Sequence, residues 1–169
     1  MPDSLTIRVA TLDDLPALHP VIERAYRGET ARIGWTHEAD LVLGPRTDIA
    51  TLAAIVGEPA QRLLIALLGD VAIGCVQVSD KGESLAYLGL LCIDPTLQTG
   101  GHGKQLVTAA EDVAREEFGA RRIEMTVIDV RHRLLAFYER RGYRISGEKR
   151  PFPIVLDPPL VMDVLVKDL

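Results

Sequence analysis

The sequence predicts a mixed α/β (α+β) fold: one sheet of mostly antiparallel strands flanked by helices. Three observations carry that prediction. Apolar residues alternate at 5–9 and recur in β-type runs at 62–68, 71–78 and 86–93, whose short breaks suit hairpins. Two stretches with apolar residues three and four apart, 103–118 and 131–140, are each followed by another β-type run, the order a crossover connection gives. The chain of 169 residues is also long enough to bury roughly 70% of its unfolded surface, so a core forms without a disulfide or metal.

Along the chain the order reads β-α-α-β-β-β-α-β-α-β-β. Residues 5–9 are the first strand. Thr11-Leu-Asp-Asp14 resembles a capping box ending in Asp. Leu15, Leu18, Ile22 and Ala25 then stripe one face of a helix that ends near Arg27. Residues 28–44 are irregular and hold the sole tryptophan, Trp35, before a short helix predicted over 48–56. Gly69-Asp70 makes the first hairpin junction and residues 80–83 the next. The run Ala86-Tyr-Leu-Gly-Leu-Leu-Cys-Ile93 is apolar almost throughout, as a central strand covered on both faces is. Gly89 inside it marks a candidate bulge, and Asp94-Pro95 stops it. Leu106, Val107, Ala110, Val113 and Ala114 stripe the next helix. Strand 122–128, helix 131–140 and strands 143–149 and 160–166 complete the order. With no repeat or linker, the expectation is one domain over 1–169.

Composition narrows the function classes. The chain is 47% hydrophobic and 25% charged with net charge −5, and its pI is about 5.4. An acidic balance argues against nucleic-acid binding, which needs a basic footprint. The N-terminus lacks a signal-peptide pattern, and no apolar window reaches the roughly 18–20 residues of a membrane span. Cys75 and Cys92 sit in apolar β-type runs, the usage of small core residues in a reducing compartment. His19, His37, His102 and His132 are scattered without ligand spacing. The expectation is a cytoplasmic protein with no metal, no nucleic-acid partner and no membrane partner.

The chemistry-bearing segment is Gln98-Thr-Gly-Gly101-His-Gly103-Lys104, between the apolar strand and a striped helix. Glycines at such a junction turn the backbone tightly and leave N–H groups pointing outward, with the positive end of a helix behind them. That is an anion site, suited to pyrophosphate. A Walker loop fails twice, because Gln98 stands where its first Gly belongs and Gln105 where its Ser or Thr belongs. A dinucleotide fingerprint fails at Leu106.

Gln98, Gly101 and Gly103 instead match the Gln/Arg-x-x-Gly-x-Gly/Ala signature, and Ala136-Phe-Tyr138-Glu-Arg-Arg-Gly142-Tyr143 is similar to a second one. Together they resemble the GCN5-related N-acetyltransferase (GNAT) superfamily, most strongly over residues 85–145. The resemblance implies acetyl-CoA as cosubstrate, held by Gln98, Thr99, Gly100, Gly101, His102, Gly103 and Lys104. Backbone amides of Leu91, Cys92 and Ile93 would hold the thioester carbonyl and the pantetheine arm. A primary amine on a small molecule or peptide would attack the thioester directly, with Tyr138 as general acid to the departing thiolate. Acceptor contacts fall to Tyr26, Trp35 and Glu38, and a homodimer is a family habit.

Three questions stay open at this level. A phenol titrates at about 10 and a thiol at about 8.5, so Tyr138 either has its pKa lowered by Arg131, Arg140 or Arg141, assists by hydrogen bonding alone, or simply packs against the sheet. Arg131 replaces an asparagine common in relatives, and its role is not carried over. Glu38, Glu83 and Asp94 are positional candidates for the base. A non-catalytic acyl-CoA-binding or sensor module is the alternative to an enzyme.

Overall fold

The computed structural model describes residues 4–27, 45–98 and 100–169. Its strands are β1 (Leu5–Val9), β2 (Gln61–Leu68), β3 (Val71–Gly82), β4 (Leu85–Ile93), β5 (Arg122–Ile128), β6 (Arg144–Pro151) and β7 (Val161–Asp168). They form one seven-stranded sheet in the order β1-β2-β3-β4-β5-β7-β6. Every pairing is antiparallel except β4 with β5. The α-helices among the described residues are α1 (Leu15–Tyr26), α2 (Ile49–Gly57), α3 (His102–Glu116) and α4 (His132–Glu139). This is the predicted class and element order, with the ends of elements moved by a few residues.

The entry into α1 is fixed locally. The Thr11 backbone N–H donates to Asp14 Oδ2 at 2.7 Å, half of the predicted capping box. Arg8 donates to both oxygens of the same carboxylate at 2.7 and 2.8 Å, and this pairing holds the Asp14 carboxyl well below its usual range.

Each face of the sheet has its own core. On one, Leu15, Leu18 and Ile22 of α1 and Leu52 of α2 pack against Leu63, Ile65 and Cys75. On the other, Leu106, Val107 and Ala110 of α3 and Leu135 of α4 pack against Val76, Val78, Leu88 and Ile123. Each fully buried Leu or Ile contributes about 1.5–3 kcal/mol.

The alternation of β4 reverses midway. Ala86 and Leu88 belong to the α3 face, whereas Leu90 and Cys92 belong to the α1 face. One extra residue in a strand does this. The register gives its location: Cys75 pairs with Cys92 but Gln77 with Gly89, so β4 has one residue more than β3 over this stretch. The positive φ falls on Leu90, at 53°, not on the predicted Gly89. A leucine there can bury its side chain in the α1-face core, which a glycine cannot. The Cys75 thiol donates to the Leu90 carbonyl at 3.4 Å.

The same backbone presses on β3. A Cβ at Gly74 would lie 2.2 Å from the Cys92 carbonyl oxygen, so only glycine lets β4 pass this close. Gly74→Ala is expected to cost at least about 2 kcal/mol, read as a fall in Tm of roughly 5 °C or more in thermal unfolding.

Candidate active site

β4 and β5 are paired over Leu85–Arg122, Ala86–Ile123 and Tyr87–Glu124, and no further. At the fork the Tyr87 hydroxyl meets Thr126 Oγ1 at 2.7 Å, spanning the two strands. Beyond it lies a cleft of about 840 Å³, lined on one side by Leu88–Ile93 and on the other by Met125–Ile128. The β4 edge facing this gap has lost its ladder partner, so its polar groups need others. Two side chains take carbonyls of that stretch: the Tyr26 hydroxyl donates to Leu91 O at 2.5 Å, and Gln98 Nε2 donates to Ile93 O at 3.2 Å. Carbonyls so occupied leave an edge that favours donating N–H groups to a guest.

The glycine segment closes one end. Asp94 accepts from the Thr96 N–H at 3.0 Å and pairs with Arg24 at 3.0 Å, which fixes the turn out of β4. Gly101, with φ of 77°, is the N-cap of α3, and no side chain caps the helix. An L side chain at that φ is strained by about 1–2 kcal/mol, and the uncapped N–H groups with the helix dipole favour an anion. Gln98, Gly101, Gly103 and Lys104 line the cleft. A Cβ at Gly103 would touch the Phe137 ring at 3.7 Å, and Arg141 lies over that ring, 4.2 Å from its centroid. The loop and the C-terminal part of α4 therefore adjoin, and both bring cations. Gly100 and His102 sit further back. Neither lines the cleft, because the imidazole folds back on Gly100, where a Cβ would lie 2.7 Å from Nε2.

Tyr138 lines the cleft from α4 and is 5% exposed. Its ring meets Phe137 and Tyr143 edge-to-face, with centroids 5.2 and 5.8 Å away. Behind it, Glu111 accepts from the Tyr143 hydroxyl at 2.9 Å and from Lys167 Nζ at 3.0 Å. Burial pushes the Tyr138 phenol well above its ordinary value; the Arg131 charge opposes this and is outweighed. Of the alternatives left open for Tyr138, lowering by neighbouring cations thus does not prevail. Arg131 itself lines the cleft rather than facing solvent.

Of the predicted site residues, Tyr26, Leu91, Cys92, Ile93, Gln98, Gly101, Gly103, Lys104 and Tyr138 come together around this cleft. Thr99, Trp35 and Glu38 lie outside the described residues. Glu83 sits exposed in the β3–β4 turn and Asp94 is tied to Arg24, and neither lines the cleft. Hydrogen bonding to Cys92, whose sulfur is 3.7 Å away, and burial push the Cys75 thiol up, which suits core residues. Arg27, Arg46, Tyr87 and Thr126 also line the cleft and were not singled out as site residues from sequence, because no local motif marks them. Among the described residues there is no group of three metal-ligating side chains and no helix long and apolar enough to cross a membrane.

Comparison with known proteins gives a consistent picture. The profile of the Acetyltransferase (GNAT) family matches residues 22–143. Blasticidin-S acetyltransferase of Streptomyces morookaense is 32% identical over 83 residues, which span 49% of this chain and 57% of that protein. The chain thus matches little more than half the length of this curated relative. Among solved structures, the ribosomal-protein-S18-alanine N-acetyltransferase of Escherichia coli superposes with a TM-score of 0.75 at 16% identity, over 98% of this chain and 94% of the other. The PaiA N-acetyltransferase of Thermoplasma acidophilum, in complex with coenzyme A, gives 0.73 at 18% identity over 98% and 99%. At these identities the structures attest the fold.

The chain has four tyrosines, and burial raises both Tyr138 and Tyr143. In a spectrophotometric titration these two are expected to stay protonated beyond pH of about 10, the ordinary value, and Tyr138→Phe to remove one late step. Because the folded values lie above the unfolded ones, the associated stability is whole below pH of about 10 and is lost as pH rises through them, so alkaline unfolding should begin above that point.

Proposed function

Because the chain belongs to the acetyltransferase (GNAT) family, we propose that it moves an acetyl group from acetyl-CoA to a primary amine in the cleft between β4 and β5. One observation carries this reading: the parted strands put the uncapped N-terminus of α3, the unladdered edge of β4 and the Tyr138 side chain around one space. The residues fit the donor. Gly101, Gly103 and Lys104 at the helix N-terminus suit its diphosphate, and the narrow apolar gap between the strands suits its pantetheine arm.

The chain's own groups have three tasks. Backbone N–H groups of Leu91–Ile93 orient the thioester carbonyl and stabilise negative charge on its oxygen during attack, an effect of about 3 kcal/mol per well-placed donor. Tyr138 donates a hydrogen bond to the sulfur as the C–S bond breaks. Its phenol, raised by burial, is a weaker acid than a thiol of pKa about 8.5, so hydrogen bonding stabilises the thiolate and full proton transfer is not required. The third task, removing a proton from the amine, has no carboxylate or histidine among the described residues lining the cleft. Water serves as the base, or the amine arrives neutral.

Tyr138→Phe should lower kcat roughly ten- to hundredfold, the worth of a hydrogen bond to a charged group, while calorimetric affinity for coenzyme A stays within twofold. Tight coenzyme A binding with no acetyl transfer to any amine would overturn the enzyme reading in favour of a sensor. With wild type, thiol release should rise with pH towards the amine's own pKa and show no fall from Tyr138 below pH of about 10.

A further inference from the structure

Two thiols stand in the sheet without a task in the proposed transfer. Cys75 of β3 and Cys92 of β4 are the two cysteines of the chain, and the antiparallel register sets them directly opposite each other. Opposed residues of such a pair have Cα atoms about 4.5–5.5 Å apart, inside the range a disulfide spans. Their sulfurs are 3.7 Å apart, and both thiols are free. The two are not equally placed. Cys75 is fully buried, whereas Cys92 is 6% exposed and lines the cleft between β4 and β5. A small oxidant entering the cleft therefore meets Cys92 first, with Cys75 in contact behind it.

The pair is also tied to the shape of β4. The Cys75 thiol donates to the Leu90 carbonyl at 3.4 Å, and Leu90 is the bulge residue held at φ of 53°, where a side chain is strained. A disulfide has no S–H, so oxidation removes this donor from the bulge. Bonding also draws the sulfurs from 3.7 Å to about 2.05 Å. The strands leave little slack for that approach, because the Cys92 carbonyl oxygen already lies 2.2 Å from where a Cβ on Gly74 would stand. The movement therefore falls on β4 around Cys92, between Leu91 and Ile93, whose N–H groups hold the thioester carbonyl in the proposed reaction.

We propose that Cys75 and Cys92 form an oxidation site, in which hydrogen peroxide closes a reversible disulfide that weakens binding of the acyl donor. The Cys92 sulfur attacks the O–O bond of the peroxide, becomes a sulfenic acid and releases water. Cys75 then attacks the sulfenic sulfur, the S–S bond forms and the hydroxyl leaves as a second water. Two thiols thus give up two electrons and two protons, all taken by the peroxide. Hydrogen bonding to Cys92 and burial push the Cys75 thiol up, which keeps the pair reduced until an oxidant activates Cys92. The loss of donor affinity rests on the acetyl-transfer reading, whereas the disulfide itself does not.

Trypsin cuts after Arg62, Lys81 and Lys104, so Cys75 and Cys92 fall in separate peptides, 63–81 and 82–104. After peroxide treatment and digestion without reductant, mass spectrometry is expected to find these peptides joined, lighter than their sum by two hydrogens. Acetyl-CoA, which has no free thiol, is titrated calorimetrically into the reduced protein, the oxidised protein and the oxidised protein treated with dithiothreitol and desalted. Oxidation should weaken binding tenfold or more, and dithiothreitol should restore it to within twofold, which it would not do for oxidised methionine. In Cys75→Ala no joined peptide should form. Any affinity that this variant loses to peroxide should not return with dithiothreitol, since Cys92 alone advances to the sulfinic acid. Separate peptides from the oxidised wild type, unchanged acetyl-CoA affinity in the joined form, or a reversible loss in Cys75→Ala would overturn the proposal. Failure of the reduced protein to bind acetyl-CoA would instead sink the transfer reading, with the joined peptides still reporting on the pair.

Discussion

The parting of β4 from β5 after Tyr87 is the constraint on which the remaining architecture turns. Two adjacent parallel strands that stop pairing leave backbone groups without partners inside a protein, which costs free energy unless something else satisfies them. The fold manages this with local devices. The Tyr87–Thr126 hydrogen bond closes the fork, and Tyr26 and Gln98 take the carbonyls of Leu91 and Ile93. The bulge at Leu90 makes the parting possible, since it turns Leu90 and Cys92 into the α1-face core while Leu88 stays in the other. Gly74 then has to be glycine because the displaced strand presses its Cys92 carbonyl against β3. The packing of β4 and the opening of the cleft are thus one feature.

Tyr138 shows how burial and charge compete at such a site. Arg131 stands close enough to favour a phenolate, yet desolvation prevails and the phenol is held neutral. A neutral donor in an apolar wall suits the role proposed for it, which develops only when charge appears on a leaving sulfur. The neighbouring Glu111, Tyr143 and Lys167 form a compensated buried network that packs Tyr143 against the Tyr138 ring, so the Tyr138 phenol is backed by a paired polar cluster rather than by solvent.

Element order was readable in the sequence because most strands are bounded by turn residues and most helices have a clear stripe. Strand 5–9 and strand 122–128 coincide with the predicted limits. The glycine segment and Tyr138 were readable because their chemistry is concentrated within a few consecutive residues. The bulge was only half readable: in Leu88-Gly-Leu-Leu-Cys-Ile93 every position is apolar or glycine, so a reversal of faces leaves no mark on the pattern, and Gly89 drew the assignment one residue away from Leu90. Arg46 was not readable at all. Its place in the cleft wall depends on Tyr26 and Glu23, some twenty residues earlier, being carried to it by α1. For His102 the motif gives the position in the chain but not the direction of the ring, which turns back over Gly100.

The electrostatics of the cleft follow from where the nearby carboxylates go. Asp94 is paired with Arg24, Glu111 with Lys167 and Tyr143, and Glu23 with the N–H groups of Arg46 and Thr47. Each of these three acids is thus engaged by a cation, a hydroxyl or main chain, whereas Arg46, Arg140, Arg141 and Lys104 line the cleft. A molecule of net charge −5 repels anions at long range, but a low-dielectric cleft lined by one sign focuses the opposite field locally. Among the described residues the cleft wall is thus basic although the chain as a whole is acidic.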